Sequence, residues 1–301
     1  MYKLFTFNRQ MGRSAFLRSL ILLPIASKAM ELKEFGKITS TFSSTEKMPV
    51  LFLGHGSPMN AIEDNEFGRN WGLLGRTLSR PAAILCISAH WETRGTMVTA
   101  MEKPKTIHDF GGFPKALFDV QYPAPGSPAL AAEARNTVHK ATVGFDNDWG
   151  LDHGAWSVLK HIYPAADIPI VQMSLDYTQA PQYHYDLARE LATLRRKGIL
   201  IVGSGNIVHN LRMANFTMPE SGYDWAIEAN EQFKKLISGH DDKSLVNYKS
   251  LGKAIDLSAP TPEHYLPLLY ALALREENEA LSFFNDKTVY GSIAMTSVRI
   301  G

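Results

Sequence analysis

The chain is poor in the residues that give a function away. It has one cysteine, Cys86, in 301 residues, which excludes an internal disulfide framework and any cysteine-based zinc finger. It has no charge excess, because 31 basic and 30 acidic side chains leave a formal net charge of +1. That excludes the basic field that nucleic acid requires, and equally an acidic tail. No run approaches the roughly 20 apolar residues that a membrane-spanning helix needs. There is no internal repeat and no glycine-rich phosphate loop. Ser57, in Gly54-His55-Gly56-Ser57-Pro58, lacks the spacing of a nucleophile elbow. What remains is ordinary globular composition, 45% hydrophobic and 20% charged, in a chain long enough for a substantial core. Ten histidines stand out against it. Without thiolates, metal chemistry would have to use imidazole and carboxylate.

The first thirty residues differ from the rest. Lys3, Arg9, Arg13, Arg18 and Lys28 precede the first acidic residue, Glu31. A short apolar run from Leu20 to Ala26 is followed by the small residues Ser27 and Ala29. Basic start, apolar middle and small-residue end give the shape of a targeting leader over 1–30. A polar Ser/Thr-rich linker is expected over 31–47 and a folded domain over 48–301. Two localisations stay open, export to the periplasm through the leader or retention in the cytoplasm.

Four continuous apolar runs read as strands buried on both faces: Pro49–Leu53, Ala82–Ser88, Ile168–Ser174 and Gly198–Gly203. Helical patterns lie between and after them, over Pro128–Ala141, Ala180–Lys197, Trp225–Ile237 and Glu263–Leu274. Ser127 caps the first of these, and Thr261 with Pro262 opens the last. Thr288–Ile300 alternates as a strand does. Strands interleaved with helices predict a single three-layer α/β domain, with a mainly parallel or mixed central sheet and helices on both faces.

Three histidines share one structural address. His55 follows the first strand, His90 the second, and His209 the strand that ends at Gly203. Ligand crevices of open α/β sheets lie beyond the carboxyl ends of their strands, so these rings can converge. His264, at the start of the last helix, and His153, in the loop Asp152-His153-Gly154, are further candidates. Three or four imidazoles suit Zn(II) or Fe(II). A ligating histidine needs its other ring nitrogen fixed, and Asp152 and Glu263 are neighbours able to do so. His139, His161, His184 and His240 read as solvated, and Cys86 as a small buried hydrophobe.

Several segments together resemble the DOPA 4,5-dioxygenase type of class III extradiol ring-cleavage dioxygenases. They are Leu51-Phe52-Leu53-Gly54-His55-Gly56-Ser57-Pro58-Met59, Ser88-Ala89-His90-Trp91, Thr106 to Pro114, Tyr122-Pro123-Ala124-Pro125-Gly126, Asp152-His153-Gly154, Gly203 to Asn210 and Thr261 to Leu268. The resemblance runs in order from about Pro49 to Gly301. It implies metal positions at His55, His90 and His264. It implies that His209 is a fourth ligand or the catalytic base, and that His153 is an acid/base beside the substrate. Better-known class III enzymes complete the site with a glutamate, whereas the matching motif here offers His264 with Glu263 adjacent.

The implied reaction inserts O2 into the ring of a DOPA-like or phenylpropanoid catechol and yields a ring-opened semialdehyde. Fe(II) is the implied cofactor for that activity, with Zn(II) able to occupy the same nitrogens. His108, Phe110, Phe113 and Tyr122 would contact the flat substrate, with Trp91 a further aromatic wall. Two other classes stay open on the same scaffold: a zinc-dependent hydrolase or amidase, and a non-catalytic metal-binding protein. Small-molecule catechol and O2 are the expected partners. Nucleic acid is not expected, and the sequence sets no oligomeric state.

Overall fold

The computed structural model describes residues 42–301. The leader expected over 1–30 and most of the linker lie outside the described residues. Residues 44–301 form one compact unit. The backbone docks slightly before the expected boundary at Met48. The Thr45 N–H donates to the Arg196 carbonyl at 2.8 Å, and the Met48 N–H to the Arg195 carbonyl at 2.9 Å.

Ten strands form in chain order: β1 (Val50–Gly54), β2 (Ala83–Thr93), β3 (Thr96–Thr99), β4 (Val143–Asp146), β5 (Ile170–Asp176), β6 (Ile199–Gly205), β7 (Leu281–Phe284), β8 (Thr288–Val289), β9 (Ile293–Ala294) and β10 (Ser297–Ile300). The helices of eight residues or more are α1 (Glu66–Thr77), α2 (Pro128–Thr137), α3 (His153–Ile162), α4 (Pro181–Glu190), α5 (Asp224–Ser238) and α6 (Leu266–Ala273). The main sheet has the order β4-β3-β5-β2-β6-β1-β10-β7, and β8 pairs with β9 apart from it. The four middle strands β5, β2, β6 and β1 are parallel neighbours. β10 and β7 join antiparallel on one side, and β3 pairs antiparallel with β5 on the other. The sheet is therefore mixed with a parallel centre.

The continuous apolar runs make sense in that centre. Side chains alternate faces along a strand. Leu51, Leu53, Ile84, Cys86, Leu200 and Val202 pack in one cluster with Trp71 of α1 and Trp156 and Leu159 of α3. Their neighbours Phe52, Leu85 and Ile201 are equally buried and turn to the opposite face. There α6 presses against β6, so closely that a Cβ on Gly203 would collide with the Pro267 carbonyl. Each large aliphatic or aromatic side chain buried in this way contributes about 1.5–3 kcal/mol. Among the described residues, no helix is long and apolar enough to cross a membrane.

Several expectations need correction. The last helix begins at Leu266, with Pro267 in its first turn, so His264 sits on the turn before it. Thr261 is no cap, because its hydroxyl donates to Glu263 at 2.8 Å. The segment 288–300 is broken into three short strands. His184 is fully buried beside the Tyr270 hydroxyl, at 3.2 Å, and His161 is half-buried with Nε2 2.8 Å from the Asn60 carbonyl. Neither is solvated, whereas His139 and His240 are exposed.

Candidate metal centre

The carboxyl ends of β1, β2 and β6 carry the site. His55 follows β1 directly, and its N–H donates to the Gly205 carbonyl at the end of β6, at 3.1 Å. His90 lies within β2 rather than after it. The pairing of β2 with β5 slips between Ile87 and Glu92, and His90 stands in that irregular stretch. Such irregularities re-aim side chains near functional sites. His264 is held against β6, where the Asn206 N–H donates to its carbonyl at 2.9 Å and a Cβ on Gly205 would strike the same oxygen. His153 is not in a loop. It is the first residue of α3, whose N-cap is Asp152. Gly154 lets this helix end approach, since a Cβ there would lie 2.5 Å from Ser88 Oγ and 2.9 Å from His90 Cδ2.

The ring nitrogens are sorted by their partners. Ser204 Oγ donates to the Gly154 carbonyl at 2.5 Å, so it accepts from His55 Nδ1 at 3.0 Å. Glu263 Oε1 lies 3.2 Å from His264 Nδ1. Asp109 Oδ2 lies 3.0 Å from His153 Nδ1 and 3.4 Å from His90 Nδ1. In His55, His264 and His153 the proton therefore belongs on Nδ1 and Nε2 keeps its lone pair, and the Asp109 carboxylate beside His90 favours the same form there. The Nε2 atoms of His55 and His90 face each other at 3.1 Å, and His264 Nε2 is buried with no hydrogen-bond partner. Two lone pairs pointed at each other, and a third left without a donor, are the donor set a cation satisfies.

The rings also have the right spread. A nitrogen about 2.0–2.1 Å from an ion puts its ring centre roughly 3 Å out, so rings radiating tetrahedrally stand roughly 5 Å apart. His55–His90, His90–His264 and His55–His264 have centroid separations of 5.0, 5.0 and 5.3 Å. His55, His90 and His153 also gather their nitrogens. His153 lies only 3.9 Å from His90, however, beside it rather than radiating from a shared centre. His209 stacks face to face on His264 at 3.5 Å.

Burial, and then the neighbouring imidazoles, hold His55 and His264 well below the ordinary histidine range. The same causes bring His90 to about 3 and His209 to about 4. All four are neutral at physiological pH, the state a ligand needs. Burial alone would raise the Asp109 carboxyl, but its hydrogen bonds from His153 and the adjacent imidazoles hold it below the usual range.

These rings floor a cavity of about 450 Å³, walled by Phe110, Phe113, Phe216, Tyr290 and Ile293. Phe110 and Phe113 thus line the cavity, as expected of substrate-contacting residues. Tyr122 and His108 do not. Tyr122 is buried and donates to the Leu159 and Tyr163 carbonyls, and His108 Nε2 lies 3.0 Å from the Val120 carbonyl while its ring packs on Trp156. Trp91 is also buried, stacked on Trp149. The sequence reading missed Asp109, Phe216 and Tyr290. Asp109 carried a signal, since it stands within the segment 106–114. Phe216 and Tyr290 carried none, because only the fold brings them to the cavity.

The sequence profile described as the catalytic LigB subunit of aromatic ring-opening dioxygenase matches residues 48–294. The chain is 50% identical over 262 residues to the 4,5-DOPA dioxygenase extradiol of Escherichia coli (strain K12), spanning 86% of this chain and 96% of that protein. It is 35% identical over 259 residues to the 4,5-DOPA dioxygenase extradiol of Beta vulgaris, spanning 82% and 96%. The crystal structure of an uncharacterized protein from Escherichia coli K12 matches with a TM-score of 0.73 at 44% identity, over 85% of this chain and 100% of that one.

Proposed function

This chain belongs to the family of the catalytic LigB subunit of aromatic ring-opening dioxygenases and is an extradiol dioxygenase, and on that premise we propose that its substrate is a catechol with a DOPA-like or phenylpropanoid side chain. One ring carbon–carbon bond breaks and each of its carbons gains one atom of O2, giving a ring-opened semialdehyde. The observation that carries this reading is the set of His55, His90 and His264, whose ring centres stand 5.0–5.3 Å apart beneath an aromatic-walled cavity, with the Nε2 atoms of His55 and His90 facing each other and that of His264 unpartnered.

In this proposal those three histidines hold the metal, and His209 is a fourth ligand or a second proton-transfer group. Fe(II), when bound, supplies the electron-rich centre through which density passes from catecholate to O2; Zn(II) suits the same nitrogens but has no redox chemistry. His153 accepts the proton of a ring hydroxyl on Nε2. The O–H bond breaks, an N–H bond forms, and the Asp109 carboxylate balances the new charge. The same proton is available later to assist ring opening. Phe110 stands edge-on to His153, at 5.5 Å, and with Phe113 flanks the place of the flat ring.

Oxygen uptake tests the reading. Protein loaded anaerobically with ferrous iron is expected to consume one O2 per catechol and form a yellow conjugated product with DOPA or dihydrocaffeate, and zinc-loaded protein to consume none. No uptake by the iron-loaded sample across a catechol panel would overturn it.

A further inference from the structure

Asp109 has no partner in the sequence reading, yet it is the carboxylate on which the site turns. Its backbone lies at the surface, but its side chain is only 16% exposed. Oδ1 accepts the His153 backbone N–H at 2.9 Å, and Oδ2 lies 3.0 Å from Nδ1 of the same ring. The pair of contacts fixes both the end of α3 and the ring it carries. Oδ2 is also 3.4 Å from Nδ1 of His90. Asp152, adjacent in sequence, is otherwise engaged. It accepts from Ser88 Oγ at 2.6 Å, Gln172 Nε2 at 2.7 Å and the Ala155 N–H at 3.1 Å. Among the described residues Asp109 is thus the carboxylate in hydrogen-bond contact with the His153 ring.

We propose that Asp109 is a positioning residue that holds His153 in the Nδ1–H tautomer, leaving Nε2 free toward the cavity. A carboxylate only accepts, so the ring must donate from Nδ1. The proton that His153 takes up in the reaction can then go only to Nε2. Asp109 also ties this tautomer to the substrate wall, because the next residue, Phe110, lines the cavity and packs against His153. Gly111 and Gly112 follow with open space around both, and Gly112 has φ +79°. The inference rests on the proposed role of His153.

The test is ring-nitrogen NMR of the full, zinc-loaded chain, together with oxygen uptake of the iron-loaded chain. Wild type is expected to show His153 protonated at Nδ1. In Asp109→Asn the amide can donate to Nδ1, so the proton is expected on Nε2, with kcat at least about tenfold lower, KM within threefold and metal content retained. Asp109→Glu, which keeps the carboxylate, is expected to keep the wild-type tautomer and recover part of the rate. An unchanged tautomer and rate in the Asn variant would overturn the proposal. So would equal losses in the Asn and Glu variants, or a reversed tautomer in Glu alone if the Asn variant does not fold. A His153→Gln variant at full rate would remove the proton-acceptor role, and with it the catalytic meaning of the tautomer, even where the NMR result stands.

Discussion

An imidazole whose Nδ1 proton is committed has one nitrogen left for chemistry, and the site repeats that arrangement with different partners. A hydroxyl serves His55, one carboxylate serves His264, and another serves His153 with His90 close by. The division of labour predicts different mutant phenotypes. His55→Ala and His90→Ala each remove a nitrogen from the facing pair and are expected to leave the purified protein without stoichiometric metal, read by elemental analysis. His153→Ala is expected to keep its metal and lose about 10²- to 10⁴-fold in kcat, the usual worth of a proton-transfer group. Loss of metal from the His153 variant would move that residue into the ligand set.

At the scale of elements, close backbone approach sets the position of His264. Gly205→Ala is expected to push the 264–267 turn away from β6. Thermal unfolding should show a loss of about 1–3 kcal/mol, accompanied by weaker metal binding. The parallel centre was legible because β1, β2, β5 and β6 are buried on both faces and read as unbroken apolar runs. Helix α1 was not legible. Its sequence, Glu-Phe-Gly-Arg-Asn-Trp-Gly-Leu-Leu-Gly-Arg-Thr, holds three glycines, and the packing of Trp71 rather than intrinsic propensity keeps it helical. Helix α3 was hidden by the Asp-His-Gly at its start, which imitates a turn but is a cap and a close contact. β3, β4 and β7 are four residues each, too short to show a period. In the site, His55, His90 and His209 could be read from their places near the carboxyl ends of β1, β2 and β6. Their orienting partners could not, since Ser204 and Asp109 reach their rings across the fold.

For the whole molecule, buried neutral histidines tie stability to pH. Burial brings His184, remote from the metal centre, down to about 4 from an unfolded value of about 6.5. Between those values the unfolded chain binds more protons, so stability rises with pH, is complete above about 6.5 and is lost as pH falls through 4. The amount at stake is on the order of 3 kcal/mol. The urea midpoint of metal-free protein should therefore drop from pH 7.5 to pH 5, and His184→Leu should show a shallower dependence whatever its midpoint. An equally steep variant would place the effect elsewhere, at the buried imidazoles His55, His90, His209 and His264 or the half-buried His161, which move the same way.

The neighbours of β1 in the sheet are β6 and β10, so the first of the described strands to be synthesised waits for the last of them. His55 and His90 precede the residues their rings meet, Ser204 on β6 and Asp109, and the β10 strand that pairs with β1 comes later still. Vectorial synthesis thus separates making the histidines from making the sheet that holds them. A chain cut before β10 is expected to expose these imidazoles without the completed sheet around them.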